Sequence, residues 1–166
     1  GRLLVAGDFT RVNGETHVGT VVINPSTGQI DPSWDLQIIN ALRGGAVSVR
    51  ALTYYDGNVY MGGSFTHLSG GGSSRVYARN AGRVSLSGRP DRSWNPEISG
   101  AVQAVGVSEA NSAFYAGGHF TTAHGNQRAW YAAKFSTQPG AAVDTSFNFE
   151  PSSASAGKYQ QTIATA

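Results

Sequence analysis

One octet, written three times, constrains this chain more than any other feature. Leu3-Leu-Val-Ala-Gly-Asp-Phe-Thr10 recurs as Val59-Tyr-Met-Gly-Gly-Ser-Phe-Thr66 and as Phe114-Tyr-Ala-Gly-Gly-His-Phe-Thr121, so Phe9, Phe65 and Phe120 stand 56 and 55 residues apart. A second signpost follows each octet: Asp31-Pro-Ser-Trp34, Asp91-Arg-Ser-Trp94 and Asp144-Thr-Ser-Phe147. Between the two lies a short apolar segment (20–23, 83–86 and 132–135) that runs into a glycine-bearing turn at Pro25–Gly28, Ser87-Gly88 or Gln138–Gly140. The same features in the same order, three times over, mark a repeat architecture.

The middle unit reads as four strands. The first spans Val47 to Tyr55 and closes on Asp56-Gly57, a tight-hairpin dipeptide. The second is Val59 to Phe65, the third is centred on Val84 to Leu86, and the fourth runs from Asp91 into Asn95. Gly62-Gly63 and Gly117-Gly118 remove side chains where a neighbouring backbone must come close. The phenylalanine after each pair is expected to wedge between adjacent units. No stretch carries a helical period.

Four short strands per unit of roughly 50 residues is the signature of a propeller blade. A sandwich would not need one motif at a fixed spacing, and a solenoid would repeat at a shorter period. The expected fold is therefore all-β, a β-propeller segment of about three four-stranded blades. The units fall at roughly 1–46 (partial), 47–100 and 101–150, with 151–166 starting a further blade. Both ends cut a repeat, so the chain is expected to be part of a larger propeller; the alternative is a ring closed by two copies.

Composition narrows the function classes. Only 13 % of the 166 residues are charged and 22 are glycine, against roughly 25 % charged in an average domain. The net charge of +2 comes from dispersed arginines, without the concentrated stripe of a nucleic-acid protein. The modest basic stretch from Arg75 to Arg92 reads as a solvated face. The absence of cysteine removes disulfides, thiolate metal sites and cysteine nucleophiles. No apolar run approaches the roughly 20 residues of a membrane span. An export signal, if used, would lie outside this sequence.

The pattern Gly-Gly-x-Phe-Thr, strand, glycine turn, Asp-x-Ser-Trp/Phe resembles the delta-60 repeat β-propellers. Val5 to Thr10 with Thr27 to Trp34 carries the resemblance best, followed by Ala116 to Thr121 with Val143 to Phe147. The middle unit departs from it through the additional Gly70-Gly-Gly-Ser-Ser74 stretch and the shortened turn at Ser87-Gly88. The resemblance implies a propeller fold in an exported, secreted or cell-surface bacterial protein. It implies no reaction, because function sits in sites added to a fold.

Candidate chemistry is sparse. His119 and His124 are five apart and flanked by glycine, unlike a zinc helix, so they read as turn residues, and no metal or cofactor is expected. Asp31, Asp91 and Asp144 recur in every unit, which points to turn-capping rather than to a single site. Glu15, Glu97, Glu109 and Glu150 are unpaired in the sequence pattern, and no nucleophile elbow or phosphate loop occurs. Gly70-Gly-Gly reads as a flexible loop. Trp34, Trp94 and Phe147 are equivalent and therefore core. Trp130 and Tyr131, which the first unit lacks and Tyr77 matches in part, are the ligand-binding candidates, although ordinary packing is preferred.

The expected function is a non-enzymatic scaffold or interaction module. Its partners would be other blades of the same or a neighbouring chain, and a protein or glycan, but neither nucleic acid nor a membrane. The alternatives are a lectin-like carbohydrate-binding propeller and an enzyme whose acids lie in blades outside this sequence.

Overall fold

Alternation of side chains along each strand decides how the chain folds, because every blade must bury both of its faces. A computed structural model describes residues 1–147, 149 and 163–165. Its strands are β1 (Leu3–Ala6), β2 (Arg11–Val12), β3 (Glu15–Thr16), β4 (Thr20–Ile23), β5 (Gln37–Ile39), β6 (Ser48–Tyr55), β7 (Asn58–Ser64) and β8 (His67–Gly70). They continue with β9 (Ser73–Tyr77), β10 (Ala81–Ser85), β11 (Val102–Ser108), β12 (Ala113–Gly118), β13 (Thr122–Ala123), β14 (Gln127–Arg128) and β15 (Ala132–Ser136). The described residues contain no helix.

The blades are antiparallel sheets ordered β1-β4, β6-β7-β10 and β11-β12-β15. One further rung, a single isolated bridge, extends each: Ile23 with Ile30 as the third rung of the first blade, and Val84 with Pro90 and Phe135 with Val143 as the fourth rungs of the other two. The fourth strand expected over Asp91 to Asn95 is thus corrected. Pairing occurs just before the aspartate, at Pro90. Asp91 to Trp94 is a turn, because Asp91 Oδ1 accepts from the Ser93 N–H and the Asp91 carbonyl from the Trp94 N–H, which takes those groups out of the ladder. The third strand of the middle unit begins at Ala81, two residues earlier than its apolar pattern suggested.

The core lies in the seams between blades. Val59, Met61 and Val84 face backward into a cluster with Val22, Trp34 and Leu36 of the first unit. Tyr60 and Ala81, on the opposite face of the same sheet, join Trp94 and Ile98 against Val102, Val105 and Phe114 of the third. Phe65 packs in the first seam and Phe120 in the second, both buried. Equivalent residues therefore perform the same task one blade apart.

A β-bulge interrupts each inner strand, between Val49 and Ala51 in β6 and between Val102 and Ala104 in β11. Opposite each bulge the backbone comes close. A Cβ on Gly63 would lie 1.9 Å from the Ser48 carbonyl oxygen, and one on Gly118 would lie 2.2 Å from that of Ala101. The glycine pair has a second purpose at Gly62, where a Cβ would meet the Val102 side chain of the next blade at 2.4 Å.

Between the second and third strand of every unit stands a small hairpin: β2-β3, β8-β9 and β13-β14. β5, from the tail of the first unit, pairs with β8 of the second. The same latch recurs in the next seam, where Ser99 N–H donates to the Thr122 carbonyl and His124 N–H to that of Pro96. Most of the segment expected to start a further blade lies outside the described residues; of it, Ile163 and Thr165 sit against Gly106 of β11.

Candidate functional site

The recurring polar groups are used in holding the blades. In every unit the aspartate Oδ1 accepts from the backbone N–H and the hydroxyl of the serine two residues on: Ser33 on Asp31, Ser93 on Asp91 and Ser146 on Asp144. The other oxygen takes a cation, with Arg2 Nε at 2.8 Å from Asp31, Arg83 Nε at 2.9 Å from Asp91 and Lys134 Nζ at 2.8 Å from Asp144. Arg83 and Lys134 are equivalent, since each offers its carbonyl to the aspartate N–H; Val22 occupies that slot in the first unit, and Arg2 supplies the charge from the neighbouring strand.

These contacts shift the carboxyls. Hydrogen bonds from Ser33 hold Asp31 below the usual range, assisted by Arg2. Bonds from Lys134 and then Ser146 hold Asp144 well below it. At Asp91 burial opposes ionisation, but Ser93 and Arg83 outweigh it and the net shift is downward.

The histidines are dispersed. His67 Nδ1 lies 2.8 Å from Thr66 Oγ1 and its ring packs edge-on to Tyr77; burial, with Arg75 nearby, lowers its pKa. His124 Nε2 donates to the Ala141 carbonyl at 2.8 Å, and His17 is 3.6 Å from Glu15. Among the described residues no three metal-ligating side chains come together. Glu97 and Glu109 sit at turns in different units, and Glu150 lies outside the described residues.

Trp130 is 43 % exposed, but the Arg128 guanidinium lies over its ring at 4.0 Å and covers one stacking face. Tyr131 is half-buried with φ +59°. Its N–H donates to the Phe120 carbonyl, as Asn80 does to Phe65 and Gly19 to Phe9. Hydrogen bonding thus aligns Tyr131 with Asn80 and Gly19, and Tyr77 falls three residues away from that position. The partial match of Tyr77 to the Trp130-Tyr131 pair is corrected accordingly. A shallow pocket beside Trp130 includes Phe147 and Phe149. Phe147 holds the signpost position of Trp34 and Trp94, but those are buried while it is 37 % exposed, with its ring edge-on to Tyr115 of its own blade. The expectation that all three are core is corrected for Phe147.

One concave site was not foreseen. It is an open cleft of about 530 Å³ at the edge of the middle blade, between the β8-β9 hairpin and the turn that follows β10. Asn58, Ser73, Ser74, Ser85, Arg89 and Arg92 supply its polar groups. The Gly70–Gly72 tip, expected to be loose, is fixed: Gly71 N–H donates to Asp35 Oδ1 at 2.6 Å, and its backbone abuts Arg89. Arg92 Nη2 reaches Ser74 Oγ at 2.9 Å across the cleft. Asp91, the carboxylate in the wall, is already engaged by Arg83 and Ser93. The sequence held a signal for this place, because both walls are where the middle unit departs from the repeat.

One two-stranded and two three-stranded sheets, each extended by one bridged rung and packed through seam clusters, define an all-β chain of propeller blades. A β-propeller family described as a domain of unknown function (DUF5122) matches residues 1–33, a span that holds β1 to β4 and the Asp31 turn. No curated protein and no solved structure matches the chain. No helix among the described residues is long and apolar enough to cross a membrane.

Proposed function

We propose that this chain is a non-enzymatic interaction segment of an exported bacterial β-propeller of the delta-60 repeat type. One observation carries the reading. Residues that recur in every unit are engaged in turns and seams, whereas the non-repeating polar groups gather at a hairpin held by rigid blades, the usual place for recognition. The octet and the Asp-x-Ser-Trp/Phe signpost support the family type and, through it, the exported setting. Carbohydrate binding is the second reading, favoured by the hydroxyl- and amide-lined cleft.

The test is a glycan and protein array probed with the whole chain, alongside assays for release of reducing ends and of ester products. Saturable binding without turnover is the expected result. Turnover that disappears when a single Glu or His is replaced would overturn the reading.

A further inference from the structure

We infer that the cleft between the Gly70–Ser74 hairpin and the Ser85–Arg92 turn is a binding site for an acidic saccharide. Its carboxylate or sulfate group is held by Arg89 and Arg92, and its hydroxyls by the serines and by Asn58. The inference rests on the interaction-module reading and gives that reading a ligand class.

Three observations converge. First, both walls are peculiar to the middle blade. The hairpin is lengthened here by the additional Gly70-Gly-Gly-Ser-Ser74 stretch, and the turn at Ser87-Gly88 is shorter than its counterparts at Pro25–Gly28 and Gln138–Gly140. Smaller grooves of about 260 and 290 Å³ lie at the same edge of the first and third blades, so the groove itself is scaffold. What occurs once is its enlargement by the hairpin and its arginine pair, since Gln29 and Ala142 stand in place of Arg89, and Pro32 and Thr145 in place of Arg92.

Second, the charge is unbalanced within the cleft. Arg89 and Arg92 are exposed, and Arg89 makes no side-chain hydrogen bond or ion pair among the described residues. Asp91 cannot neutralise them, because its two oxygens are committed to Ser93 and Arg83. Two guanidiniums without an internal counter-ion attract an oxyanion, and their planar forks match carboxylate and sulfate geometry.

Third, the remaining lining suits a polyol. Ser74 and Ser85 can each donate and accept, and Ser73 can accept while its proton goes to the Gly70 carbonyl. The Asn58 amide, with one N–H on the Asp56 carbonyl, keeps its oxygen and a second N–H. The volume of about 530 Å³ falls within the roughly 300–1,000 Å³ of small-molecule sites. The wall is also in place before any ligand arrives: Gly71 is tied to Asp35 and Ser73 Oγ to the Gly70 carbonyl at 2.7 Å. That lowers the ordering cost of binding.

Calorimetric titration of the whole chain at low salt provides the test, with four probes: a polygalacturonate tetrasaccharide, a heparin-derived tetrasaccharide, neutral maltotetraose and inorganic sulfate. At least one acidic tetrasaccharide should bind with a Kd below about 1 mM; which of the two binds distinguishes carboxylate from sulfate recognition. The R89A/R92A double variant should weaken that binding roughly tenfold or more, as loss of two charge-assisted anchors requires. R43A/R50A, with the same net charge removed elsewhere, should remain within about twofold. Ser74→Glu, which places a carboxylate beside Arg92, should abolish binding with the circular-dichroism melt unchanged.

No acidic probe binding at about 10 mM, equal loss in both double variants, or equal affinity for maltotetraose or sulfate alone would each overturn the cleft assignment. Neutral glycan binding that depends on Trp130 would reject this site and leave the module reading standing. Release of reducing ends would reject the module reading itself.

Discussion

Arg83 in β10 donates through Nη1 to the carbonyl oxygen of Thr137 in the following blade, while its Nε holds Asp91 in its own blade. The same guanidinium reaches the Tyr60 hydroxyl at 3.0 Å and lies within 6 Å of the Tyr60 and Trp94 rings. Burial works against its charge, but the bonds to Tyr60 and Asp91 outweigh that and raise its pKa. One cation thus joins turn, sheet and seam. Arg83→Met leaves the Thr137 carbonyl and Asp91 short of a donor in a site where the side chain is only 10 % exposed. Breaking a buried pair costs about 3–5 kcal/mol; Asp91 keeps Ser93 and some water, so a loss of about 2–3 kcal/mol is expected in urea unfolding. Adding Asp91→Asn should recover part of it, and the double-mutant cycle measures the coupling.

The bulge glycines give a sharper prediction, because backbone and not side chain opposes them. Gly118→Ala places a methyl group 2.2 Å from the Ala101 carbonyl oxygen, and neither strand can yield without opening the β11-β12 ladder. A loss above about 3 kcal/mol is expected. Gly125→Ala has open space around its Cβ but a φ of +82°, so it should cost only about 1 kcal/mol. Equal melting temperatures for the two variants would show that the bulge does not constrain the seam.

Much of this was written locally. β4 matches the apolar segment Thr20–Ile23 residue for residue, and Asp56-Gly57 forms its hairpin with φ of 46° and 75°, the mirror-image turn that the dipeptide favours. The aspartate turns also follow from a side chain and its neighbour two residues on. The β2-β3 and β13-β14 hairpins were missed because two-residue strands carry no alternation, although Asn13-Gly14 and His124-Gly125, with φ of 49° and 85° and of 46° and 82°, use the same turn chemistry. The cleft was out of reach for another reason. Ser74 and Arg92 meet across 18 residues, and that meeting depends on the Gly70–Gly72 tip docking against Asp35 and Arg89, a tertiary contact with no periodic trace.

Acid sensitivity follows from the three turn carboxyls. Asp31, Asp91 and Asp144 all have folded pKa values below the unfolded value, which is about 3.9. The unfolded chain therefore binds protons first as pH falls. The stabilisation is complete above about pH 5 and is lost progressively below pH 4, toward the folded values. His67 adds a smaller slope of the same sign. Its pKa is lowered in the fold, so stability begins to decline as pH drops through about 6.5. Melting temperature should dip slightly between pH 7 and 5 and steeply between about pH 4 and 2. Asp144→Asn, which keeps an acceptor for Ser146 but cannot ionise, should flatten the steep part; an unchanged acid limb would mean that other groups set it.

Tyr131 occupies a position where the other units place Gly19 and Asn80, all three with positive φ. The geometry is imposed by the chain. Each residue must donate to the carbonyl of the motif phenylalanine and offer its own carbonyl to the glycine two residues before that phenylalanine. A bulky side chain is disfavoured there by about 1 kcal/mol or more. Tyr131→Asn keeps the backbone contacts, tolerates the left-handed conformation and sacrifices only a half-buried ring. It should be neutral to stabilising by about 0.5–1 kcal/mol. Tyr131→Val, β-branched and intolerant of positive φ, should destabilise by about 1–2 kcal/mol. If the Asn variant is stabilised yet loses affinity on a glycan array that the wild-type chain binds, the strain at Tyr131 is retained for recognition beside Trp130. Stabilisation with unaltered binding assigns Tyr131 to packing alone.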